Sequence, residues 1–182
     1  MLLAKGISKF GVSRRKLMEE GVKWKPTYDT EIDDDLFVIQ LVDEAKAIKG
    51  ILYSIGCHST SMSSDNYLIS NDYPGKTSSY LEETYPGTMA VFLQGSAGEI
   101  KPLKCAVGDD FISCTFEQME QAGVDLAKDI IRVPWSEVRT FCGKCQHLPI
   151  ACAPTGNANI LSTPRSRYCS AGCRRPGSFR FP

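Results

Sequence analysis

The chain has 182 residues, enough for one single-domain core with an appendage, and its 42% hydrophobic and 23% charged content is ordinary for a soluble globular protein. Its formal net charge is zero, so charge gives the chain no overall pull on a polyanion, and no apolar run reaches membrane-spanning length. That neutrality is uneven: residues 139–182 hold seven basic residues and no Asp or Glu, leaving 14 basic against 21 acidic before Arg139.

In chain order, Met1-Leu2-Leu3-Ala4 is too short an apolar stretch to be a signal-peptide core. Gly11-Val12-Ser13-Arg14-Arg15 reads as a basic stretch, either solvated or set against a substrate or an acidic loop. Asp33-Asp34-Asp35 marks a solvated turn rather than a metal site. Leu36–Val42 and Gly50–Ile55 are apolar runs joined by a charged link, consistent with an antiparallel pair. Lys76–Tyr85 is expected to be a short helix, stopped by Pro86-Gly87, and Thr88–Leu93 a fully buried strand. Phe116–Val133 sets Met119, Ala122, Leu126, Ile130 and Val133 on one helical face and stops at Pro134. This order of elements predicts an α/β fold, a mixed sheet with flanking helices, with ligand-binding loops at the sheet's end. Cys57, Cys105 and Cys114 are widely spaced and read as small buried residues rather than a disulfide framework.

Two segments carry the chemistry. The first is Cys57-His58-Ser59-Thr60-Ser61-Met62 with Leu68-Ile69-Ser70-Asn71-Asp72-Tyr73-Pro74-Gly75, a lone imidazole delivered by an apolar run into a polar loop. The second is Ala90-Val91-Phe92-Leu93 running into Gln94-Gly95-Ser96-Ala97-Gly98-Glu99-Ile100-Lys101-Pro102. In residue, order and spacing the pair resembles the neutral/alkaline, non-lysosomal ceramidase family, particularly its shorter bacterial branch. There a CHPTxxxxxNxLISxDYPG segment precedes FLQGxAGDxxP. The resemblance runs from about Lys9 to about Val133 and takes in Arg14-Arg15 and Leu36–Leu41. It implies an internal portion of a zinc-dependent amide hydrolase. In the intact family, metal-activated water cleaves N-acylsphingosine to a fatty acid and a sphingoid base. Members are often secreted, and the substrate of the shorter branch is open.

On residue type alone His58 is either a zinc ligand or a hydrogen-bonded histidine at a strand end. The resemblance favours the ligand. It also implies an upstream His and a downstream Glu and Tyr as further ligands, which find no match: the only other histidine is His147. Zinc is therefore expected to have one ligand here and the chain alone to be inactive. Asp72 is expected to cap the helix beginning near Pro74, or to orient His58 through a hydrogen bond. Gln94, Gly95, Ser96 and Gly98 form either a cradle for an oxyanion or substrate amide oxygen, or a tight turn whose glycines supply positive φ. Longer ceramidases carry a functional Ser in this loop. Counting back from Gly98-Glu99 puts Gln94 and Gly95 there, so Ser96 is not taken as a nucleophile. Ser59 and Glu99 depart from the family's Pro and Asp.

Residues 1–138 thus read as a partial ceramidase-like catalytic domain and 139–182 as an irregular, poorly structured Cys/Arg-rich tail. Within that tail Cys142-Gly143-Lys144-Cys145 and Cys169-Ser170-Ala171-Gly172-Cys173, 23 residues apart, are the basis of the alternative, a non-catalytic zinc-ribbon-like binding protein. The aromatic and apolar pattern a zinc ribbon packs around its knuckles is missing, and no nucleic-acid partner is expected.

Overall fold

Strand alternation builds the main sheet. Along β4 (Asp35–Val42), Leu36 and Val38 are fully buried while Phe37 between them is 41% exposed; along β5 (Ile48–Ile55), Ile51, Tyr53 and Ile55 are buried. These two pair antiparallel, as the sequence predicts. In this computed structural model the described residues are 1–134 and 139–140. The zinc-ribbon cysteines and nearly all of the predicted tail lie outside them.

β1 (Leu2–Ile7) pairs antiparallel with β4 on one side and with β10 (Arg139–Thr140) on the other, and β6 (Met89–Gln94) adds parallel to β5. The five-stranded order is β10-β1-β4-β5-β6. A parallel neighbour requires a crossover, and α1 (Asp72–Thr84) lies between β5 and β6 in sequence. A second, antiparallel sheet, β3-β2-β7, is made by the hairpin of β2 (Gly11–Met18) and β3 (Gly21–Thr27) with β7 (Ile100–Pro102). After a short 3-10 turn, β8 (Ala106–Val107) and β9 (Asp110–Phe111) form a small hairpin, and α2 (Phe116–Arg132) follows. The mixed α/β architecture with flanking helices is the one the sequence predicts.

The inward face of the large sheet and the two helices share one core, with Ala4, Leu36, Val38, Ile51 and Tyr53 meeting Tyr73, Leu81, Leu126 and Ile130. All five residues of the predicted α2 face are buried. A capping box starts that helix: Thr115 accepts from the Gln118 amide while the Gln118 side chain accepts from the Thr115 amide. The helices meet at Gly123, where an added Cβ would stand 2.7 Å from the Tyr73 carbonyl oxygen and from Lys76 Cβ. Thr77 Oγ1 donates across that crossing to the Gly123 carbonyl at 2.9 Å.

Two expectations are corrected. Helix α1 begins about a turn before Lys76 because Pro74 sits in its first turn, where a missing N–H costs no helical bond. Strand β6 is an edge, not a fully buried strand: Ala90 and Phe92 pack on the core while Met89, Val91 and Leu93 are exposed. Its outward residues lie on the sheet face opposite α1 and α2.

Candidate functional site

Both motif segments end at the same edge of the fold and are stitched together there. β5 ends at Ile55 and β6 at Gln94, directly opposite in register. Beyond them the Gly95 amide donates to the Ile55 carbonyl at 3.1 Å, and Gln94 Nε2 donates to the Cys57 carbonyl at 3.0 Å. The His58 amide then donates to the Ile100 carbonyl of β7 at 3.1 Å, tying the histidine segment to the second sheet. Tyr73 of α1 donates its hydroxyl to the Cys57 carbonyl at 2.8 Å, fixing the residue before the imidazole from the helix side.

His58 is half-buried and faces cations. Arg14 Nη2 lies 3.0 Å from its Nε2. A guanidinium only donates, so Nε2 accepts and the ring proton is on Nδ1. Burial first, then the Arg14 and Lys101 charges, lower the His58 pKa below the usual 6.5, so the ring is neutral at pH 7. Lys101 is itself buried; its Nζ donates to the Thr60 carbonyl.

The register of β2 against β3 shifts between Ser13, which pairs with Thr27, and Arg15, which pairs with Trp24, so the extra residue lies on β3. The consecutive Arg14 and Arg15 both reach one acceptor. Arg14 Nη2 and Arg15 Nη2 lie 3.0 Å and 3.5 Å from the Gly98 carbonyl oxygen. The Arg14 amide also donates to the Glu99 carbonyl at 2.7 Å. The glycine loop thus turns the Gly98 carbonyl toward the arginines.

Neither Gly95 nor Gly98 has positive φ, which removes the tight-turn reading of these glycines. Gly95 is required by crowding instead: a Cβ there would lie 2.8 Å from the Ile55 carbonyl carbon and 2.9 Å from the Gly56 nitrogen. At Gly98 a Cβ would meet nothing within 4 Å. Ser96 gives its carbonyl oxygen to the close approach at Gly56, 2.8 Å from where a Cβ there would stand.

Asp72 anchors the loop between His58 and α1. Its carboxylate accepts from the Ser61 amide at 2.8 Å, the Ser61 hydroxyl at 2.7 Å and the Tyr73 amide at 2.7 Å, and its own φ is +54°. The helix N-cap is Asn71, which makes no side-chain capping bond. Asp72 serves the first turn from inside the helix and spends its other oxygen on Ser61. Beneath this loop Cys105, Cys114 and Met119 form a small second core, closed by Met62 and Phe111. Cys57, Cys105 and Cys114 are buried and free of disulfides, as their spacing predicts.

Among the described residues no three His, Cys, Asp or Glu side chains converge to hold a metal. With two cations near its ring, His58 and its described neighbours do not by themselves fit a zinc centre. The site they do make is a neutral imidazole, two arginines, a buried lysine and a turned-out carbonyl. Of these, sequence reasoning singled out His58 and Gly98, weighed Arg14 and Arg15 as either a solvated stretch or a contact to substrate or an acidic loop, and passed over Lys101.

No family model matches the chain, nor does any curated protein. Solved structures do match. The neutral ceramidase of Pseudomonas aeruginosa is 23% identical, the match covering 75% of this chain and 23% of that one with a TM-score of 0.58. A ceramidase complexed with C2 is 22% identical over the same shares, with a TM-score of 0.59. The fold is ceramidase-like. This chain spans about a quarter of the length of those ceramidase chains. Among the described residues no helix is long and apolar enough to cross a membrane.

Proposed function

We propose that this chain supplies one wall of the active site of an amide hydrolase of the neutral ceramidase type. The observation that carries this reading is the meeting of the two motif segments: His58, Arg14 and the Gly98 carbonyl within hydrogen-bonding reach at one edge of a ceramidase-like fold. In this reading the substrate is a lipid amide of the N-acylsphingosine class. Arg14 orients His58 and clamps the Gln94–Gly98 loop, and Asp72 holds the loop that leads from His58 into α1. As a zinc ligand His58 would need partners beyond the described residues, and Arg14 would have to yield Nε2.

The reading implies that the chain alone hydrolyses ceramide negligibly, because among the described residues the groups needed to complete a metal centre do not converge around His58. Fatty-acid release from a short-chain ceramide, measured with added zinc on the chain and on its His58→Ala variant, tests this. Equal background from both is expected. Robust turnover by the unmodified chain, abolished by His58→Ala, would show a complete site and overturn the reading.

A further inference from the structure

The hairpin beside His58 holds a cleft that shares only Arg14 with the proposed hydrolase wall. It encloses about 260 Å³ and is lined by Arg14, Arg15, Val22, Lys23 and Trp24. That lies just under the usual range for small-molecule pockets and suits a headgroup rather than a whole lipid. Three of its five lining residues are cations and none is a carboxylate. Arg14 and Arg15, which both reach the Gly98 carbonyl, bring their charge to this wall.

The apolar side of the cleft is built as firmly. Trp24 packs on Phe111 of β9, ring centroids 4.8 Å apart and planes tilted by 50°. The Lys101 ammonium lies 5.9 Å from each ring centroid and adds a fourth positive charge behind the indole. Arg14 uses Nε and Nη2 on Gly98 and His58, and Arg15 uses Nη2 on Gly98. A guanidinium offers five N–H donors in a planar fork, so both retain donor capacity beyond these bonds. Glu20 pairs with Lys23 at 3.2 Å but does not line the cleft, and Asp109 and Asp110 pair with Lys16 and Lys25 of the same hairpin.

We propose that this cleft is a binding site for a phosphate-class anion. Several converging cations favour a dianion over a singly charged carboxylate, because each cation adds its own attraction while the ligand relieves their mutual repulsion. The flat indole and Val22 give an alkyl substituent on that phosphate a surface to lie on. The site stands beside the proposed hydrolase centre and does not depend on amide cleavage.

Isothermal titration of the full chain with hexyl phosphate, inorganic phosphate and hexanoate tests it. Saturable binding of hexyl phosphate is expected, weakened at least about tenfold in the Arg15→Gln/Lys23→Gln double variant and by added salt. Glu20→Gln, an exposed change that releases Lys23, is expected to tighten binding about two- to fivefold. Hexyl phosphate binding tighter than inorganic phosphate assigns the site to a phosphorylated amphiphile. Equal affinities assign it to free phosphate, and both results support the anion site. Binding unchanged in the double variant, hexanoate binding as tightly as hexyl phosphate, or no saturable binding below about 10 mM overturns the proposal.

Discussion

Replacing Asp72 with Ala should be among the most damaging single changes near the site. The carboxylate accepts three hydrogen bonds at 2.7–2.8 Å. Bonds to a charged acceptor contribute about 1.5–3 kcal/mol each, and two of these partners, the Ser61 amide and hydroxyl, would be stranded in a fully buried residue. The three bonds share one side chain, so their effects do not add in full. Alanine also tolerates the +54° φ of this position less well than aspartate, at about 1 kcal/mol. Together these give an expected loss of about 3–5 kcal/mol, near the upper end for a point change. Asp72→Asn keeps an oxygen acceptor and the left-handed preference, and should lose about 1–2 kcal/mol. Urea denaturation of the three proteins measures the differences, and amide exchange at Ser61 and Tyr73 shows whether the loss is local. An Asp72→Ala cost below about 1 kcal/mol, or one no larger than that of Asp72→Asn, would refute the claim that this carboxylate holds the loop.

Three further outcomes are expected. Gly95→Ala should destabilise the fold by about 1–3 kcal/mol in thermal or urea melts, because its Cβ would press on β5 backbone, whereas Gly98→Ala should be near neutral. His58 should titrate below 6.5 by NMR, and Arg14→Gln should raise its pKa while leaving the contribution of burial in place. Because the folded ring resists protonation, its linkage lowers stability as pH falls through the unfolded value near 6.5 toward the folded one, and adds nothing above it. Burial pushes the Cys105 thiol up to about 12 and the Cys57 thiol up as well, so peptide-resolved alkylation at pH 8 should spare both until denaturant is added.

Some of this fold is written plainly in the chain. The helical face from Met119 to Val133 and the β4–β5 pair follow from apolar periodicity, since each buries one face, against the shared core for all but Met119, which joins the smaller second one. The β2–β3 hairpin left no such trace: Arg15, Leu17, Met18, Val22, Lys23 and Trp24 are all exposed, so apolar and charged residues do not alternate there. Strand β6 misled in the opposite sense. Its continuous apolar run suggests burial on both faces, yet it is a sheet edge with only Ala90 and Phe92 turned to the core.

The candidate site divides in the same way. His58 and the glycine loop were legible because residue type and spacing sit together in one stretch of chain. Arg14 was not, because its contact depends on the return of Gly98 some 84 positions later. Lys101 sits on a three-residue strand between apolar neighbours, and nothing local marks it as buried. The anchoring of Ser61 by Asp72 joins a loop to a helix start through a left-handed residue, a conformation that sequence pattern does not announce.

The most direct test of the site itself is the tautomer of His58. Its ring nitrogens can be read by 15N-detected NMR at pH 7.5, resolved from His147, the only other histidine. The geometry predicts a pyridine-like Nε2 and a protonated Nδ1, with Nε2 shifting on Arg14→Gln. A protonated Nε2, or a ring indifferent to that substitution, would contradict the Arg14–His58 contact on which the site is built.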